Sequence, residues 1–130
     1  MAVYPTDSSV FAYPYFRYTF QVSGFDEHHN QYFLAISFDA ADTLHLANEY
    51  SSKYTNKGGL HEVTLYKIDS LQRIQSFSLK TDTADNLFAI DRQGINVRFL
   101  SGNFHFLLRN DQDTSEYLYI KQGSFQDIAY

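Results

Sequence analysis

From residue 15 onward the chain alternates apolar and polar positions with a period of two. Phe16, Tyr18, Phe20 and Val22 fall on one face, and Arg17, Thr19 and Gln21 on the other. That period belongs to a half-buried strand, whose successive side chains point to opposite faces. Residues 23–30 are polar apart from Phe25 and read as a loop. A second strand follows, with Tyr32, Leu34, Ile36 and Phe38 inside and Gln31, Phe33, Ala35 and Ser37 outside. The pair predicts a hairpin with a rather long loop.

The period then changes. Asp39 suits an N-cap, and Asp42 falls in what would be the first helical turn. Ala40, Leu44, Ala47 and Tyr54 have helical spacing, flanked by Thr43 and Tyr50. Lys53 and Lys57 suit a helix C-terminus, and Gly58 with Gly59 can supply the left-handed residue that ends it. The pattern predicts one helix over residues 40–54.

Strand periodicity returns at 61–68, followed by a turn at Asp69 and Ser70. Residues 71–80 fit either a short helix or a bulged strand. Strand is preferred, because Ser76 and Ser78 alternate with Phe77 and Leu79. Residues 81–86 read as loop, 87–90 as strand, 91–94 as turn and 95–99 as strand. Ser101, Gly102 and Asn103 look like a tight hairpin connection. Phe104, Phe106 and Leu108 then alternate with His105 and Arg109. Residues 110–115 form a polar loop and 117–120 a last strand. Residues 1–14, punctuated by Pro5 and Pro14, read as an irregular arm, and 122–130 as a short tail. The expected fold is α+β: a β-β-α-β start followed by antiparallel hairpins, one main helix packed on a mostly antiparallel sheet, in a single domain of residues 1–130.

Composition sharpens this picture in one respect. The chain holds 12 Phe and 11 Tyr in 130 residues, with no Trp and no Cys. Large rings bury about 150–250 Å² each, enough to build a core without disulfides. The absence of Cys removes disulfide scaffolds, Cys-ligated zinc, iron–sulfur clusters and thiol nucleophiles. It fits a reducing compartment, and with no secretory signal at the N-terminus a cytoplasmic protein is expected. No apolar run approaches the ~20 residues of a membrane helix, so no membrane partner is expected. A formal charge of −5 with singly scattered Lys and Arg opposes phosphate neutralisation, so no nucleic-acid partner is expected either.

Four groups of residues could carry chemistry. Asp26, Glu27, His28 and His29 offer metal-ligand types in one loop. Adjacent His residues in an extended loop rarely aim at one centre, and a solvated hairpin tip is the plainer reading; His28 and His29 stand only as a weak metal alternative. His105 and Arg109, with Arg98 across the proposed hairpin, could line an anion groove on the outer sheet. An ordinary solvent-facing polar row is the plainer reading of them. The spaced acids of residues 111–116 lack the glycine and the distant bidentate Glu of a calcium loop. Nucleophile elbows and phosphate loops are absent, so no catalytic residue and no cofactor is assigned.

The last group is the aromatic surplus itself. Phe33, Tyr66, and either Tyr117 and Tyr119 or Leu118 and Ile120 fall opposite their strands' core pattern. Either a second layer or a barrel-like closure covers them, or they form a recognition surface, where Tyr and Phe are enriched. The expected function is a small binding protein rather than an enzyme. It would act by protein–protein interaction, as a regulator, inhibitor, immunity-type partner or self-associating subunit. A small-molecule pocket or small enzyme site between helix and sheet is the alternative.

Overall fold

Alternation and β-branched or aromatic content win over the helical spacing: the fold is all-β. In the computed structural model, residues 2–6, 15–42, 46, 49–79, 86–94 and 96–129 are described. Among these described residues nine strands form: β1 (Ala2–Thr6), β2 (Phe16–Phe25), β3 (Gln31–Ala40), β4 (Glu49–Ser51), β5 (Gly58–Ile68), β6 (Ile74–Leu79), β7 (Leu87–Gly94), β8 (Phe99–Asn110) and β9 (Tyr117–Ala129). All pair antiparallel, in the order β1-β2-β3-β5-β6-β8-β7-β4, with β9 on the far edge of β8.

β6 and β7 share one edge of β8 in tandem. β7 covers residues 99–105 and β6 covers 108–110. Leu107 lies between the two ladders and gives its N–H to the side chain of buried Asn86, at 2.8 Å. A part-buried backbone donor that neither β6 nor β7 reaches is thereby satisfied.

The sheet coils until its ends meet. Phe20 of β2 and Phe125 of β9 are far apart along the strand order, yet their ring centroids are 5.0 Å apart. Phe88 of β7 stacks on Phe125 at 5.0 Å and on Phe38 of β3 at 5.0 Å, and Phe38 meets Tyr50 of β4 at 4.7 Å. All five rings are buried. Cα atoms of β1 approach those of β9 within 8 Å, although no ladder joins them among the described residues.

The expected helix over 40–54 is overturned, and with it the α+β class. β3 runs on through Ala40, and β4 occupies residues 49–51; residues 43–45, 47 and 48 lie outside the described residues. Asp39 caps nothing. Its carboxylate is fully buried, with Arg17 Nε donating to it at 2.8 Å from the facing strand position and the Tyr54 hydroxyl donating from the other side. Neutralising that buried charge requires Asp39 to stay in the strand beside Arg17. Gly58 and Gly59 open β5 instead of closing a helix. Gly58 has φ +122°, and a Cβ there would stand 1.8 Å from the Asp39 carbonyl oxygen.

The hairpin expected at Ser101, Gly102 and Asn103 is the middle of β8. Residues 91–94, expected as a turn, belong to β7, and the turn is at residues 96–98, inside the stretch expected as strand. Small residues stand at 101–103 because two register shifts coincide there, one in β7 and one in β9. The Ser101 hydroxyl accepts the N–H of Asp127 at 2.8 Å and holds the β9 bulge. At both ends of the chain, β1 runs over Ala2–Thr6 and β9 reaches Ala129, where an arm and a tail were expected. Pro5 is tolerated because β1 pairs only with β2 among the described residues. The hairpin of β2 and β3, strand β6 and the inward Phe104, Phe106 and Leu108 stand as read from the sequence.

Two stability outcomes follow from this packing. A Cβ at Gly102 would stand 1.9 Å from the Ala89 carbonyl oxygen and 2.8 Å from the Phe125 ring. Gly102→Ala should therefore cost about 3 kcal/mol by overpacking in urea unfolding. Arg17→Ala leaves the buried Asp39 carboxylate without its cation; because Arg17 itself is part-exposed, the expected loss is near the lower end for a broken buried pair, about 3 kcal/mol. A midpoint unchanged in either variant would contradict the packing that motivates it.

Candidate functional site

Among the described residues, three loops lie at one end of the sheet: residues 26–30 between β2 and β3, 69–73 between β5 and β6, and 111–116 between β8 and β9. The first two fold identically. In each, the leading Asp accepts backbone N–H groups two and four residues on: His28 and Asn30 for Asp26, Leu71 and Arg73 for Asp69, all at 2.9 Å. In each, the fourth residue takes the left-handed conformation, His29 and Gln72 both at φ 62°. This is a turn followed by a left-handed residue, a common three-residue hairpin connection. The short, fixed loops set the register of the strands that carry the outer face.

On that face, side chains form rows across the sheet. One row runs Ser23, Phe33, Tyr66 and Ser76; the next, nearer the loops, runs Phe25, Gln31, Ile68 and Ile74. Phe25 is 71% exposed, Ile74 62%, Tyr66 47% and Phe33 40%. Phe33 and Tyr66 are direct cross-strand partners, so the four form one apolar patch spanning β2, β3, β5 and β6.

Tyr117 and Tyr119 also point outward, while Leu118 and Ile120 pack on the interior. Tyr117 stands opposite Arg109, which stands opposite Ser78. Three strand spacings, about 14 Å along the sheet, separate this pair from Tyr66. A polar strip fills the interval. Asp111 accepts the hydroxyls of Ser76 at 2.7 Å and Ser78 at 3.0 Å, and Gln112 accepts the Ser76 N–H at 3.2 Å.

Arg98, His105 and Arg109 do not converge. Arg98 lies in the β7–β8 turn, His105 faces Leu87 in mid-strand, and Arg109 stands near the other end of β8. The two arginines are eleven positions apart along extended chain, roughly 36 Å. In the first loop both Asp26 oxygens are occupied, Oδ1 by backbone N–H groups and Oδ2 by the Asn30 amide and the Tyr32 hydroxyl. His28 lies 3.5 Å from Glu27 with both side chains in solvent. No group of three or more His, Cys, Asp or Glu suited to a metal is found among the described residues. No helix among them is long and apolar enough to cross a membrane.

Phe25 and Ile74 escaped the sequence reading. Phe25 was assigned to the polar loop, although the alternation from Arg17 places position 25 on the outward face. Ile74 opens a stretch that fits either a short helix or a bulged strand, and inward Phe77 turns it outward. Comparison with protein-family models, curated proteins and solved structures finds no match to this chain.

The hydrogen bond from Asn30 is the largest of several that hold the Asp26 carboxyl at about 2, against an ordinary 3.8. A carboxyl whose folded value is depressed stabilises the fold fully above its unfolded value, and the contribution is lost as pH falls through the folded one. The loop should therefore hold its structure at pH 4 and release it as the pH approaches 2. An NMR titration of the Asp26 side-chain carboxyl carbon reads this directly. A midpoint near 3.8 would show that the hydrogen bonds around it do not persist in solution.

Proposed function

We propose that this chain is a binding protein whose outer face at the loop end is covered by another protein chain, either a second copy or a different protein. One observation carries the reading: Phe25, Phe33, Tyr66 and Ile74 stand together and exposed on neighbouring strands. From the size of such side chains and their exposure, the patch amounts to on the order of 400 Å² of apolar surface, within the range where the largest patch of a monomer is often functional. The rings stand on a sheet with fixed register, so contact with them costs little ordering. The polar strip at Ser76, Ser78 and Asp111 would form part of a wet rim, with Tyr117 and Tyr119 beyond it.

The test is a paired measurement on the Phe33→Ser, Tyr66→Ser double variant. Sedimentation at rising concentration and retention of proteins from the native source are compared with the parent chain. Association should weaken at least tenfold while the unfolding free energy from urea titration stays within about 0.5 kcal/mol, as for surface substitutions generally. If the parent chain is monomeric at every concentration and retains nothing that the variant loses, the reading is overturned. A variant that fails to fold would also overturn it, because the rings would then belong to the core.

A further inference from the structure

Charge is not spread evenly over these 130 residues. The loops 26–30, 69–73 and 111–116 hold Asp26, Glu27, Asp69, Asp111, Asp113 and Glu116 against a single base, Arg73. They take six of the 15 acidic residues and one of the 10 basic ones, so outside them nine acids face nine bases. The whole formal charge of −5 therefore resides in three short loops at one end of the sheet. Arg73 is tied to Asp69 at 2.7 Å. None of the other five carboxylates pairs with a Lys or Arg among the described residues. Asp26, Asp111, Asp113 and Glu116 accept hydrogen bonds from neutral groups, which fix the carboxylates and leave their charge in place.

These loops border the outer patch on two sides. Asp26 directly follows Phe25, and Asp69 directly follows Ile68, the cross-strand partner of Ile74. The loop 111–116 docks along β6: Asp111 gives its N–H to the Ser76 carbonyl at 2.8 Å, and Gln112 accepts the Ser76 N–H. Acids thus stand toward the loops and beyond β6, with Phe33, Tyr66 and Ile74 inside the angle. Cations do not offset them on the strands that carry the patch. Arg17 is the one Lys or Arg at an outward position of β2, β3, β5 or β6, and it is held by buried Asp39. Lys67 lies on the opposite face of β5 from Tyr66. Glu62, outward on β5 opposite Ser37, adds a further acid.

This distribution discriminates between the two occupants of the patch. A second copy presents the same face. If two copies stack with their strands running the same way, acidic loops meet acidic loops. If the strands run opposite ways, each set of loops lies over strands whose outward cation is already committed to Asp39. Like charges set against one another suppress a partner, and opposite charges select one and speed encounter. We infer that the patch is covered by a different protein, one that presents apolar side chains bordered by Lys or Arg. The inference rests on the reading of the patch as a docking face and names the chemistry of what docks there. Contact with Phe25, Phe33, Tyr66 and Ile74 supplies the apolar centre, and the loop carboxylates form the charged rim.

The probes are fluorescein-labelled peptides with Leu and Phe at helical or at strand spacing and Lys at the remaining positions. Controls replace every Lys by Glu, or every Leu and Phe by Ser. The expected result is saturable binding of Lys peptides of at least one spacing, with NMR shifts at Phe33, Tyr66 and Ile74. Both controls should bind at least tenfold more weakly. Affinity should fall at least tenfold as ionic strength rises from about 0.01 M to about 1 M, where the Debye length shrinks from roughly 30 Å to 3 Å. The Glu27→Gln, Glu116→Gln variant should bind at least threefold more weakly with its urea midpoint unchanged, and the isolated parent chain should sediment as a monomer. Self-association of the parent chain, or equal binding of Lys and Glu peptides, that is lost in the Phe33→Ser, Tyr66→Ser variant would overturn the inference and leave the docking face standing. Lys peptides that bind nowhere on the patch, or that bind the Phe33→Ser, Tyr66→Ser variant as well as the parent chain, would also overturn it.

Discussion

The structure depends on four phenylalanines meeting in its centre. Phe20, Phe38, Phe88 and Phe125 come from β2, β3, β7 and β9, and each lies within 5.0 Å of another. A flat sheet would leave Phe20 and Phe125 at opposite margins, with their inner faces in water. Stacking them forces the sheet to coil, and the tandem arrangement of β6 and β7 along β8 allows it. Truncation of one such ring to Ala in a packed interior typically costs about 3–5 kcal/mol. Wherever the coil is imposed, the odd-numbered positions of β2 and β3 must face outward. The outer rings are thus a consequence of inner ones.

Much of this was legible because period two is robust. The inward sets of β2, β3 and β8, and the outward Phe33 and Tyr66, follow from alternation alone. The failures share a cause. Asp39, Gly58 and Gly102 are residue types that local rules assign to caps and turns, and here each answers a long-range demand. Asp39 is held by Arg17 across the hairpin, Gly58 yields to the Asp39 carbonyl, and Gly102 yields to Ala89 and Phe125. Such partners lie many residues away, outside any local window. The outer patch was half legible: its strand-centre members were read correctly, and its members near the loops were lost where the strand boundary was drawn too early.

The two ends of the outer face are treated differently. Away from the loops, Tyr54 lies over Gly59 and donates to Asp39, and Tyr15 packs on Tyr54 with ring centroids 5.7 Å apart. Tyr15 also donates to the Thr55 carbonyl at 3.0 Å. The chain thus covers its own sheet there, and the rings used have polar tips that bond to nearby groups. At the loop end the outward residues of β2, β3 and β6 are Phe25, Phe33 and Ile74, which carry no polar atoms on their side chains. No segment among the described residues covers them.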